Sequence, residues 1–122
     1  MGSVTLQLFC PGRLVNPLNA SRWSHWQRIK WASEWKHTVR LCWLENGRPQ
    51  HAGPAAITFT GYVARRFDDD GFPACIKPLR DEAVRLICGT DDGPNCGHLF
   101  SYRQEVRPAY RGVLITVTDR AG

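Results

Sequence analysis

Residues 56–88 read AITFTGYVARRFDDDGFPACIKPLRDEAVRLIC. The opening part, residues 56–64, is dense in β-branched and aromatic side chains and reads as a strand. It runs directly into Arg65-Arg66-Phe67-Asp68-Asp69-Asp70, and Gly71 and Pro73 then break the chain. Beyond the break, Ile76, Leu79, Ala83 and Leu86/Ile87 recur on one face of a helix. Pro78 sets a condition on that helix: either it begins near the proline, or its first turn is kinked there. A strand that delivers three consecutive carboxylates to a chain break before a helix is the unit around which the rest of the chain is read.

Upstream, residues 4–9 (VTLQLF) alternate β-formers with polar residues and read as a strand. A loop marked by Pro11, Gly12, Pro17 and Asn19 follows. Ser21 is a suitable N-cap for a long helix over residues 22–45, stopped by Asn46-Gly47. Trp31, Trp35, Val39 and Cys42 give that helix a buried stripe, with Arg22, Lys36 and Arg40 opposite and His25 and His37 flanking them. Downstream, residues 89–97 (GTDDGPNCG) form a turn-rich loop. Residues 99–106 and 113–118 read as two strands joined by a turn around residues 108–112. The order β-α-β-α-β-β predicts one α+β domain over residues 1–122, a mixed β-sheet with two main helices packed on it.

A chain of 122 residues favours a single domain, and 43% hydrophobic residues is an ordinary globular share. No apolar run approaches the roughly 18 residues of a membrane span. The N-terminal stretch lacks a basic region followed by an apolar one, so the expectation is a cytoplasmic protein without a membrane partner. The five cysteines include no C-x-x-C pair, which speaks against a zinc or disulfide framework and for reduced thiols placed mostly in the core. The formal net charge is +5. It is uneven: residues 1–66 carry nine Lys/Arg against two Glu, and residues 67–122 seven against nine Asp/Glu. That division suggests a surface for polyanions beside a site that holds cations.

In extended chain, alternate side chains share a face, so Asp68 and Asp70 are expected on one side and Asp69 on the other. Two carboxylates held together repel unless a cation lies between them. Mg²⁺ suits such a place, since it is hard and needs only one or two carboxylates plus water and phosphate; Mn²⁺ is a natural substitute. Asp91 and Asp92 offer a second pair, which the intervening helix can return to the same end of the sheet. Lys77 lies between the two acidic stretches, able to neutralise a phosphate or protonate a leaving group. The plainer alternatives stand beside these: Asp-rich turns cap helices, Asp91-Asp92-Gly93 alone is commonly a turn, and Lys77 alone a surface lysine. In the first helix, Arg22, His25, Trp26, Arg28 and Lys30, with Trp23, interleave cations and indoles as a surface for phosphates and unpaired bases, and Arg65 and Arg66 stand just ahead of the acidic run. No Walker-type loop occurs, so no nucleotide cofactor is expected, and there is no G-x-S-x-G.

Residues 67–81 (FDDDGFPACIKPLRD), followed by Gly89-Thr90-Asp91-Asp92-Gly93, resemble the core of the RusA-like family of Holliday junction resolvases, many of them from phages and prophages. Leu18-Asn19, Arg22, His25-Trp26 and Arg28 upstream, and Tyr102 with Gln104 downstream, extend the resemblance over nearly the whole chain. It implies an α+β homodimer that binds four-way DNA junctions and nicks them symmetrically with Mg²⁺. On the matching positions it implies that Asp68, Asp70 and Asp92 are the essential carboxylates. Lys77 would be the family lysine, with Asp81 its i, i+4 partner. One departure is visible: the family asparagine after the Asp motif is Gly71 here. The expected activity is thus a metal-dependent endodeoxyribonuclease. A nuclease for flaps or other branched DNA, or a catalytically degenerate DNA-binding accessory protein of a phage, are the alternatives.

Overall fold

The computed structural model describes residues 6–17 and 22–120. Its strands are β1 (Leu6–Pro11), β2 (Ala55–Val63), β3 (Leu99–Val106) and β4 (Gly112–Asp119), and its long helices are α1 (His25–Glu45) and α2 (Gly71–Ala83). The sheet order is β1-β4-β2-β3. β4 runs antiparallel to both β1 and β2, whereas β2 and β3 are parallel across the α2 crossover. The β-α-β-α-β-β order and the mixed sheet agree with the sequence. Three of the expected features, the first residues of the opening strand (4 and 5), the Leu18-Asn19 stretch and the Ser21 cap, lie outside the described residues.

Alternation explains the layers. Ile57, Phe59 and Val63 of β2 and Val113, Ile115 and Val117 of β4 are buried against Trp35, Val39 and Cys42 of α1 and Phe72, Ile76 and Leu79 of α2. The opposite sides of the same strands carry Thr58, Thr116 and Thr118, which are half-buried. β3 and β4 are consecutive but not neighbours, because β2 lies between them. Burial accounts for this: β4 is apolar on its inner positions and takes a central place, while β3 exposes Leu99, Ser101 and Arg103 and takes the edge.

The helix starts differ from expectation. Arg22 and Trp23 precede α1, and Ser24 is its N-cap: the Ser24 hydroxyl accepts from the Gln27 amide, and the Gln27 side chain accepts from the Ser24 amide. α2 starts at Gly71, so Pro78 lies well inside it, buried, rather than at its beginning. The proline removes one backbone donor without ending the helix, because its ring and its neighbours Leu79 and Glu82 are held in the core. A wider helical turn, Val84–Cys88, continues α2 until Gly89 closes it in the left-handed region at φ 70°.

One close approach fixes α2 on the sheet. A Cβ on Gly61 would lie 2.4 Å from the Phe72 ring, so only glycine at that point of β2 lets the first turn of α2 seat its aromatic side chain. All five cysteines are free, and Cys10, Cys42 and Cys75 are buried. Burial pushes the Cys75 thiol up to about 12 and raises Cys10 further, the latter aided by neighbouring Cys42. These are core thiols, poorly suited to act as thiolate nucleophiles. No helix among the described residues is long and apolar enough to cross a membrane.

Candidate functional site

The acidic run turns earlier than the sequence suggests. β2 ends at Val63, and the Phe72 amide donates to the Asp68 carbonyl at 3.0 Å, so the chain is already coiling at Asp68. Asp70 sits at the N-cap of α2 in helical conformation, φ −81° and ψ −35°, and makes no side-chain cap bond. Strand alternation therefore does not hold Asp68 and Asp70 on one side, since residues two apart on a helical turn face apart. Asp68 borders a hollow with Arg65 and Arg66, Asp69 borders another with Phe72 and Tyr102, and Asp70 borders neither. All three are exposed, and none forms an ion pair with a described residue.

The backbone ahead of them is anchored from the far edge of the sheet. The Phe67 amide donates to Gln104 Oε1 at 2.7 Å, and Gln104 Nε2 donates to the Phe67 carbonyl at 3.1 Å. This two-point clamp holds the exit of β2 against β3, immediately before Asp68.

Two turns along α2 is a separate polar network. Asp70, Lys77 and Asp81 follow at spacings of seven and four, on one helix face, with Lys77 about 10 Å farther along the axis than Asp70. Lys77 Nζ donates to Asp81 Oδ1 at 2.6 Å and to Asp92 Oδ2 at 2.7 Å. Arg80 Nε donates to the same Asp92 oxygen at 2.7 Å, and Arg80 Nη1 donates to the Tyr102 hydroxyl at 2.6 Å. Burial pushes the Asp92 carboxyl up, but its side-chain interaction with Asp81 and the hydrogen bonds donated by Lys77 and Arg80 outweigh burial and hold its pKa well below the usual carboxylate range. Asp81 moves the other way, raised by burial and by its neighbour Asp92 against the pull of Lys77. Asp81 is thus the more easily protonated of the two.

The structure brings Lys77, Asp81 and Asp92 together, with the i, i+4 pairing expected of the first two. It does not bring Asp68 and Asp70 to Asp92. Among the described residues, no group of three or more His, Cys, Asp or Glu side chains is gathered as a metal cage. Asp91 bonds within its own turn, accepting from the Gly93 amide at 2.9 Å. The donor set fits an open Mg²⁺ site on Asp68 or Asp70 completed by water and phosphate, and it does not fit a closed site that also uses Asp92, whose Oδ2 is shared by two cations.

On α1, His25, Trp26, Arg28 and Lys30 are exposed on the first turns, Trp26 at 75%, and Arg22 is exposed just ahead. His25 packs edge-on to Trp26 at 5.8 Å, Arg28 donates to the Pro17 carbonyl, and Lys30 lies 4.0 Å from Glu34. Trp23 is half-buried and rests on Trp31 at 5.8 Å. Arg40 does not face solvent freely: it pairs with Glu82 of α2 at 2.8 Å.

Sequence reasoning left Arg80 without a role, although its place three residues after Lys77 puts it on the same side of the helix. Arg13 and Arg111, which border the hollows beside Arg65, were also missed, since nothing local marks a single loop arginine. Compared with known proteins, the chain matches no protein-family model and no curated protein.

Proposed function

We propose that this protein is a Mg²⁺-dependent endonuclease acting on branched DNA, with four-way junctions its favoured substrate and a homodimer its working form. The observation that carries the reading is the convergence of the residues behind the RusA-like resemblance. Lys77, Asp81, Asp92 and Tyr102 come from three separate stretches: Lys77 bonds Asp81 and Asp92, and Arg80 links Asp92 to Tyr102, while Gln104 clamps the chain at Phe67 beside the acidic run. Asp68 and Asp70 are exposed and, like Asp69 between them, form no ion pair with a described residue; they would hold the cation. When bound, that ion would activate water and offset charge on the phosphate. Lys77 would steady the scissile phosphate or supply a proton, and Asp92 and Arg80 would position Lys77. Two copies related by a two-fold axis would present one site to each of the two strands to be cut.

The test is cleavage of a labelled four-way junction with Mg²⁺, with Mn²⁺ as the alternative ion. Asp70→Asn should cut roughly 100-fold more slowly than wild type and bind the junction as tightly. Cutting by Asp70→Asn at the wild-type rate overturns the reading.

A second reading, a catalytically degenerate DNA-binding protein, draws on one observation: Asp92 is taken up by Lys77 and Arg80 and not by a site shared with Asp68 and Asp70. Junction, flap and duplex substrates compared in one assay separate these readings. Tight junction binding with no cutting of any substrate in Mg²⁺ or Mn²⁺ favours the second.

A further inference from the structure

Two hollows, of about 510 and 410 Å³, adjoin each other between the loop after β1 and the loop after β2. Arg13, Leu14, Arg65 and Phe67 line both, so the two form one continuous groove. Arg111 stands at one end; Arg66, Trp23 and Asp68 stand at the other. Arg13, Arg65, Arg66 and Arg111 are all exposed, and none forms an ion pair with a described carboxylate. By contrast, Arg40, Arg80 and Arg85 are neutralised by Glu82 or Asp92. Four like charges along one groove repel one another, and a polyanion relieves that repulsion.

The groove also has a stacking wall and a connection to the acidic run. Trp23 is held in place by Trp31, with its ring available to the hollow. Asn16 lines the same hollow, and its carboxamide is pressed against the start of α2: a Cβ on Gly71 would lie 2.3 Å from Asn16 Nδ2. Cations that follow a backbone, together with an aromatic face that accepts any base, are the features of a single-strand channel. The indole is what favours an unpaired strand over a duplex, whose bases are already stacked on one another.

We infer that this groove binds one unpaired DNA strand, with phosphates on Arg111, Arg13, Arg65 and Arg66 and a base on Trp23, and leads it to Asp68. The inference rests on the endonuclease reading only for the identity of the polyanion as DNA. It adds Arg13 and Arg111 to strand binding and places Trp23, Arg65 and Arg66 with them in one groove, apart from the exposed first turns of α1.

The test reads binding alone. A labelled 20-nucleotide single strand is titrated with the full chain in EDTA, where cutting cannot contribute, across a salt series. Arg13→Ala/Arg111→Ala should bind at least tenfold more weakly at 0.1 M salt. Its slope of log K against log salt should be shallower by about 1.4, as two lost single-strand phosphate contacts require. Trp23→Ala should bind about tenfold more weakly, with Trp23→Phe restoring most of the affinity. Arg103→Ala, an exposed arginine of β3 beside a different hollow, should bind as wild type does. Thermal melting checks that each variant is folded, and Arg111→Ala alone carries the test if the double variant melts early. An unchanged salt slope, an equal loss in Arg103→Ala, or duplex competing as well as single strand overturns the inference. A protein that binds in this way and cuts nothing in Mg²⁺ overturns the endonuclease reading and leaves the groove standing.

Discussion

Glu82 is the buried charge with the most at stake, since only 4% of it is exposed. Burial pushes its carboxyl up, but hydrogen bonds from Arg85 and Arg40 outweigh that and hold its pKa below the ordinary 4.5. The folded state therefore binds the proton less readily than the unfolded chain. The resulting stabilisation is fully present above the ordinary value and is lost as pH falls through the lower, folded one. Glu82→Gln is expected to destabilise the protein by about 2 kcal/mol at pH 7. The gap between wild type and variant in denaturant titrations should narrow as pH drops below about 4.5. A gap that stays constant to pH 3 would show that the two arginines do not stabilise the charged form. Lys77 illustrates a related point at the same scale. Its amine is shared between Asp81 and Asp92, so its position depends on a loop fifteen residues away as much as on its own helix.

At the scale of elements, α1 is fixed at its start by a local cap and α2 by a contact with the sheet, and both are held along their length by burial. α1 has no acidic residue in its first turn, so the reciprocal Ser24–Gln27 bonds satisfy donors that would otherwise be open. Ser24→Ala should cost about 1 kcal/mol and release the first turn. Faster amide exchange at Gln27 and Arg28, with Val39 unchanged, is the expected signature. That first turn carries His25, Trp26 and Arg28, so the same change should weaken any DNA contact made there without touching the groove arginines. α2 is tied differently: its N-cap Asp70 makes no cap bond, and its seat comes from Phe72 over Gly61. The positive end of a helix dipole suits a carboxylate, and this one spends no oxygen on a cap bond.

Across the whole molecule, the sheet carries the site's coherence. Gln104 on the edge strand reaches residues 37 positions earlier, and Tyr102 on the same strand receives Arg80. Gln104→Ala removes both bonds to Phe67; Gln104 shares the inner side of its strand with Phe100 and Tyr102 but is only half-buried, so few core contacts go with it. The expected result is a melting temperature lowered by roughly 5 °C together with faster exchange of the Phe67 amide. If the reading of the site holds, junction cutting should fall more than junction binding. The uneven charge of the sequence also takes on a different form in three dimensions. Much of the acidic second half is matched by nearby cations: Asp81 and Asp92 by Lys77 and Arg80, Glu82 by Arg40 and Arg85, and Glu105 by Arg107 at 3.4 Å; the Asp119 carboxylate meets the His51 ring at 2.6 Å. What remains is Asp91, held in its own turn, and a run of three exposed aspartates beside a groove whose arginines form no ion pair with a described carboxylate.

The sequence by itself determined the element order, both long helices and the α+β class, because hydrophobic periodicity and turn residues are local signals that any fold of this chain must satisfy. It also determined the Lys77–Asp81 pair, which helical spacing alone imposes. Three things were decided only by the tertiary structure. β2 came to lie between β3 and β4 because strand order depends on how much of each strand is buried, and that is a property of the packed sheet. Asp68 and Asp70 diverged because α2 begins before the proline that seemed to mark it. Arg13, Arg65, Arg66 and Arg111 met in one groove because three loops far apart in the chain lie side by side at the same end of the sheet, a proximity with no local trace in the residues themselves.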